Sequence, residues 1–168
     1  GQAADTGADD NAHALRVAPN SLQREFELLA RVRHPAVVSV YDLGFAPDGT
    51  PFITMEYVPG VPADQALIPG DWVALAGIAA RVTQGLEALH GAGVIHGDLK
   101  PSNLLVVAGP RPEDPPSDVR LVDFGLAALL DRDRECHRGT PGFAAPEIAR
   151  GEAPSVASDL YSLGATLY

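Results

Sequence analysis

The order of local patterns along the chain predicts an α+β fold in two lobes. Three observations carry this. An amphipathic helix and strand-like runs come first; a connector containing glycine and proline follows near residues 58–62; a long helix, short strands and a last helix fill the remainder. No repeat period interrupts that order. The 168 residues, 46% hydrophobic and 20% charged, are enough to bury a core without disulfide help.

The elements follow from local signals. HALRVA (13–18) is a short strand candidate. SLQREFELLARVR (21–33) puts Leu22, Phe26, Leu29 and Val32 on one helical face, with Asn20 as N-cap and Gln23 at N3, and His34-Pro35 ends the helix. AVVSVYDLGF (36–45) and PFITMEYV (51–58) are strand-like and joined by a Pro-Asp-Gly turn at 47–49. Gly60 and Pro62 loosen the chain into a connector. A long helix is expected from about Trp72 to His90, started by Asp71 and closed by Gly91 and Gly93. NLLVV (103–107) and VRLVDF (119–124) are short strands around a proline-rich surface loop, and a last helix begins at about Ser158.

Bulk properties narrow the function classes. The net charge of −10 argues against a nucleic-acid surface, which needs a basic face. The longest apolar stretch is interrupted by Arg81, Gln84 and Glu87, so it reads as a buried amphipathic helix, and no secretory signal or membrane span is visible. Cys136 has no cysteine partner and no metal-ligand spacing, which points to a reducing cytoplasm. The small, acidic opening GQAADTGADDNA and the ending SLGATLY, inside an apolar helical pattern, suggest a piece of something longer.

The chemistry concentrates in VIHGDLKPSNLL (94–105), which holds Lys100, the one lysine among twelve Lys and Arg residues. His96, Asp98, Lys100 and Asn103 sit in a turn between a helix and a strand, and Asp123 lies in V-D-F-G after the next strand. Two carboxylates and an amide oxygen are hard ligands suited to Mg²⁺, which usually arrives carrying a nucleotide's phosphates. A lysine beside them supplies a compact cation for a transferring phosphoryl oxygen, a task a wide planar guanidinium does not share. An aspartate without metal duty can accept a hydroxyl proton. Each piece alone also fits an ordinary turn, and a histidine on an apolar face is more often core than catalyst.

Together the pieces resemble one family. VIHGDLKPSN is similar to the catalytic loop of protein kinases, H-R-D-L-x-x-x-N, and LVDFG to their D-F-G. GTPGFAAPE resembles the end of the activation segment, SDLYSLGATLY the family's helix αF, EFELLARVRHPAVVSVYDLG its helix αC and fourth strand, and FITMEYV its fifth strand and hinge. The resemblance runs from about residue 14 to the last residue with motif order kept. It implies a protein-kinase-like two-lobed α+β fold. Residues 1–58 would form a partial N-lobe sheet with helix αC, and residues 59–168 a mainly helical partial C-lobe ending at αF.

The resemblance also implies an ATP- and Mg²⁺-dependent enzyme acting on a protein substrate. Asp98 would be the base or orienter for the substrate hydroxyl and Lys100 the γ-phosphate cation. Asn103 and Asp123 would hold Mg²⁺, and Thr140 would brace Asp98 and Lys100. Glu25 falls where the αC glutamate belongs. Met55 would guard the back of the adenine pocket, the backbone of Glu56 and Val58 would read the base, and Ala14 and Leu105 would sandwich the ring. Phe124, His96, Leu29 and Val40 would stack between the lobes. Lysine two places after the aspartate, with GTPGF later, is the serine/threonine pattern. Composition and phrasing look bacterial, as in kinase domains joined to further signalling domains.

The pattern also breaks. The glycine-rich phosphate loop is absent, and the family's third-strand lysine position holds Arg16. Arg16 supports an alternative: a pseudokinase that binds nucleotide or a partner without transfer. A remoter class, a small-molecule kinase, is opposed by the G-T-x-x-F-x-A-P-E stretch, where a protein substrate would dock. Gly97 stands where many relatives keep an arginine that receives an activation-loop phosphate, and FGLAALLDRDRECHRG offers no Ser, Thr or Tyr to carry one. Loop phosphorylation is therefore expected not to switch this protein on. Glu147 usually pairs with an arginine beyond αF, so the 168-residue piece alone is expected to be marginally folded.

Overall fold

The structure, a computed structural model, describes residues 19–108, 118–124 and 139–168. The first element is helix α1 (Pro19–Arg31). It starts two residues before the expected run, so Asn20 lies inside the first turn. Proline suits that position, since its fixed φ matches the helix and its missing N–H is not needed there. Leu22, Leu29 and Val32 are buried and Phe26 packs partly against the core, so the helix buries its expected face.

Strands β1 (Val40–Phe45) and β2 (Pro51–Met55) pair antiparallel as a two-stranded sheet. The Pro-Asp-Gly turn joins them: Gly49 takes φ 85° and Asp48 accepts a hydrogen bond from the Thr50 N–H. Residues 36–38 do not extend β1 as expected. They cross instead to β5 (Asp118–Leu121), where Val38 N–H donates to the Leu121 carbonyl and Leu121 N–H to that of Ala36.

The connector after β2 holds two elements that the Gly/Pro composition hid. They are the two-residue strand β3 (Val61–Pro62) and the short helix α2 (Ala63–Ala66). β3 is the edge of a second sheet, β3-β4-β5, with β4 at Leu104–Val107. Pro62 is tolerated because an edge strand can do without one ladder donor. Asn103 belongs to a 3₁₀ turn (Pro101–Asn103) ahead of β4 rather than to the strand. β5 stops at Leu121, three residues short of the expected end, because Asp123 takes φ 57° and leaves the extended region.

Helix α3 (Trp72–Gly91) is the long helix the sequence predicts, with the Asp71 carboxylate accepting from Ala74 N–H at 3.0 Å. Ile78, Val82, Leu86 and Leu89 are almost fully buried. Each contributes roughly 1.5–3 kcal/mol by leaving water. Gly85 permits the close approach to β5, since a Cβ there would sit 2.7 Å from Leu121 Cδ1. Leu104, Val106, Val119 and Leu121 line the sheet face turned to the core, alternating with the partly exposed Leu105, Val107, Asp118 and Arg120.

Two helices complete the described chain, α4 (Pro146–Ala149) and α5 (Val156–Leu167). α5 begins before Ser158 because Ser155 and Ser158 cap each other reciprocally: each side chain accepts from the other's N–H. Its buried residues are Ser158, Asp159, Ser162 and Leu163, a mostly polar set for a buried face. Among the described residues no helix is long and apolar enough to cross a membrane.

Candidate active site

α3 ends at Gly91, and the chain turns through Gly93 into the irregular segment 94–100. Irregular backbone this deep needs partners for its polar groups. Asp159, from the buried face of α5, supplies them. Its Oδ2 accepts from His96 N–H and its Oδ1 from Gly97 N–H, each at 2.9 Å, and His90 Nε2 of α3 lies 2.8 Å from Oδ2. One carboxylate thus holds the turn against two helices. Sequence reasoning gave neither Asp159 nor His90 a role. Asp159 shares its helix face with Ser158, Ser162 and Leu163, a mostly polar set that reads as a solvated face, so the sequence carried no signal for its burial.

Gly97 takes φ 77°, a conformation that disfavours any side chain, while a Cβ there would meet Pro154 only at an ordinary 3.8 Å. The constraint is backbone shape, not space. Gly97→Ala is expected to cost roughly 1–2 kcal/mol of stability in urea unfolding; a variant as stable as the parent would show that the turn adjusts without strain.

Beyond this anchor lies a polar triangle. Lys100 Nζ donates to Asp98 Oδ2 at 2.6 Å and to Thr140 Oγ1 at 3.0 Å, and Thr140 Oγ1 donates to Asp98 Oδ1 at 2.7 Å. Thr140 N–H adds a fourth bond to Asp98 Oδ1 at 3.1 Å. Thr140 is fixed by the turn that follows it, where Phe143 and Ala144 N–H donate to its carbonyl. Burial alone pushes the Asp98 carboxyl up, but the hydrogen bonds from Lys100 and Thr140 and the Lys100 charge outweigh it and hold it below the usual range. Asp98 is therefore an acceptor at neutral pH.

Asn103 is buried, and its Nδ2 donates to the Asp98 carbonyl at 2.9 Å. That commits the amide nitrogen and leaves Oδ1 as the atom for a cation, with the Ser102 hydroxyl 3.3 Å away. The Asn103 carbonyl accepts from Val122 N–H at 3.0 Å, which brings Asp123 next to the 3₁₀ turn. Asp123 is exposed and is the one non-glycine residue with positive φ among the described residues. Strain of this kind gathers at functional sites.

Phe124 and His96 meet edge to face with ring centroids 5.6 Å apart, both buried, and Phe124 lies in one core with Leu29 and Val40. Burial pushes the His96 imidazole below its ordinary value, against the raising influence of Asp159 and Asp98. At this ring the unfolded chain binds more protons than the folded one below about pH 6.5. The stability is thus complete above that pH and is lost as the pH falls through the window beneath it. Tm is expected to drop between pH 7 and pH 5, and less so in His96→Leu; the same pH slope in both proteins would contradict the assignment.

The other expected residues are spread along the connector and sheets. Met55 ends β2 half-buried against the core, Glu56 and Val58 follow it, and Leu105 is half-buried in β4. Glu25 is exposed on α1. Ala14 and Arg16 lie outside the described residues, as do the short strand expected at 13–18 and most of the loop without Ser, Thr or Tyr.

The sequence profile described as "Protein kinase domain" matches residues 8–168. Serine/threonine-protein kinase pkn3 of Myxococcus xanthus is 42% identical over 160 residues, which cover 87% of this chain and 28% of pkn3. The DNA damage-responsive serine/threonine-protein kinase RqkA of Deinococcus radiodurans is 39% identical, over 86% of this chain and 22% of its own. Among solved structures, the PknI kinase domain of Mycobacterium tuberculosis aligns with a TM-score of 0.66 at 31% identity, over 88% of this chain and 54% of that one. The chain thus spans about half of a solved kinase domain and under a third of these curated relatives. With the catalytic-loop geometry and the two sheets joined by a connector, the match over residues 8–168 shows that the chain belongs to the protein kinase family.

Proposed function

We propose that the full-length protein carrying this chain transfers the γ-phosphate of ATP to serine or threonine hydroxyls of a protein substrate. The observation that carries this reading is the closed Asp98–Lys100–Thr140 triangle. Asp98, ionised at neutral pH, accepts a hydrogen bond from the attacking hydroxyl, aligns its oxygen and takes its proton. Lys100, positioned by Asp98 and Thr140 together, offsets charge on the phosphoryl oxygens. The relatives named as serine/threonine kinases support the class of acceptor.

The donor set fits Mg²⁺: the Asn103 Oδ1 and the Asp123 carboxylate are hard oxygen ligands on adjoining turns. When bound, the ion would neutralise the nucleotide's phosphates. Glu56 and Val58 read the adenine through their backbone, with Leu105 and Ala14 on the ring faces and Met55 behind. Arg16 stands in the sequence where the family's phosphate-bridging lysine is expected, and Glu25 where its acidic partner is expected. The protein acts in the cytoplasm and carries further domains.

Arg16 also favours the second reading, a pseudokinase. One comparison separates the two: phosphate transfer by the full-length protein beside Asp123→Asn and Arg16→Lys. Transfer by the parent that Asp123→Asn lowers at least about 10²-fold supports the enzyme. Transfer that appears only in Arg16→Lys makes the natural protein a pseudokinase.

A further inference from the structure

The connector that follows β2 is met by a row of charged side chains that the catalytic reading does not use. Glu56 opens this connector. Its N–H donates to the Ser39 carbonyl at 2.8 Å, and its carboxylate returns to the Ser39 N–H, with Oε2 at 3.4 Å. The other carboxylate oxygen, Oε1, faces Arg120 Nε on β5 at 4.0 Å. Arg120 is in turn clasped by Asp118, with Nη1 to Oδ2 at 2.6 Å, and Asp118 Oδ1 lies 3.8 Å from Arg81 on α3. Negative and positive groups alternate from the connector through β5 to α3.

This row joins parts that must keep their spacing. Ser39 leads into the first sheet, while Arg120 stands in the second, so the Glu56 carboxylate lies within 4.0 Å of a group from each. Arg120 is also the cross-strand partner of Leu105, so the two side chains share one face of the β3-β4-β5 sheet. Its flanking residues Val119 and Leu121 are fully buried, which fixes the strand beneath the guanidinium. Individually these half-exposed pairs are weak. As a set with one well-formed contact, they select a position for the connector more than they add stability.

We infer that Arg120 is a positioning residue for nucleotide binding: through Glu56 it fixes the connector backbone at the distance from Leu105 that an adenine ring requires. The inference rests on the kinase reading, because it assigns the connector to the adenine. Arg120 touches neither nucleotide nor substrate in this scheme, so its loss acts on affinity and spares the chemical step.

The test uses the full-length protein, with ATP and casein as substrates, ADP with Mg²⁺ for calorimetry, and amide hydrogen exchange at residues 56–60 without nucleotide. In Arg120→Ala the KM for ATP and the Kd for ADP are expected to rise about 3- to 10-fold while kcat stays within about 2-fold of the parent. Arg120→Lys should recover much of the loss, and Glu56→Gln should shift KM in the same direction. Amides 56–60 should exchange faster in Arg120→Ala. Unchanged KM and exchange would overturn the inference, as would a fall in kcat and Tm with KM unchanged, the mark of a merely structural residue. If the parent binds no nucleotide, the kinase reading fails separately. The exchange rates then still decide whether Arg120 holds the connector: faster exchange supports that part, and unchanged exchange overturns it.

Discussion

Asp98→Asn is expected to lower kcat about 10²- to 10⁴-fold with little change in the KM for ATP. The amide has the carboxylate's size, so packing is kept and only acceptor strength and charge change. In the parent, Asp98 Oδ2 receives Lys100 and Oδ1 receives two bonds from Thr140. An asparagine can satisfy one of those oxygen sites with its carbonyl and must present hydrogens at the other. It therefore meets either the Lys100 ammonium or the Thr140 N–H donor to donor. The proton acceptor disappears, and the cation loses the group that fixes it. Because Asn103 bonds to the Asp98 backbone carbonyl and not to its side chain, the metal-facing turn should survive. Steady-state kinetics with nucleotide calorimetry would check this; an equal loss of ATP affinity would mean that Asp98 organises the nucleotide site, not the hydroxyl.

What could be read from the sequence were features written in contiguous residues. Helix α3 is announced by apolar residues four apart from Ala74 to Leu86, with Asp71 before them. Asp98, Lys100 and Asn103 fall within one turn, so their association required no knowledge of distant pairing. Thr140 could be joined to them only through the family resemblance, being 40 residues from Lys100 and 42 from Asp98. Contacts across such separations have no local trace. The pinning of the catalytic turn by Asp159, 62 residues from Gly97, is of that kind, as is the approach of Glu56 to Arg120. Backbone shape was also hidden. Gly97 reads as the loss of an arginine, whereas its φ shows a turn that itself favours glycine. β3 and α2 were missed because four residues of helix and two of strand are too short to show a period, and tertiary pairing with β4 forms them.

Removing the Asp159 side chain is expected to have the largest effect on folding. Its side chain is almost fully buried, and three donors converge on it: the N–H groups of His96 and Gly97 and the ring of His90. Asp159→Ala strands one buried and one part-buried backbone donor at once, in a turn with no regular hydrogen bonding to fall back on. A loss of about 3–5 kcal/mol follows, from the desolvation of groups left unmade. That corresponds to a fall in Tm of roughly 6–20 °C for a chain of this size. Asp159→Asn keeps one acceptor but turns an NH₂ toward a donor, so it should recover only part of the loss. His90→Ala tests the division of labour. It removes one partner near the surface, leaves the backbone bonds in place, and should cost about 1 kcal/mol. Urea unfolding of the three variants would settle the order. The turn that carries Asp98 would then be seen to depend on α5 for its shape, so that activity should disappear with Asp159 even though no atom of that residue reaches the transferred phosphate. If Asp159→Ala unfolds no more easily than His90→Ala, the turn holds itself and this dependence is wrong.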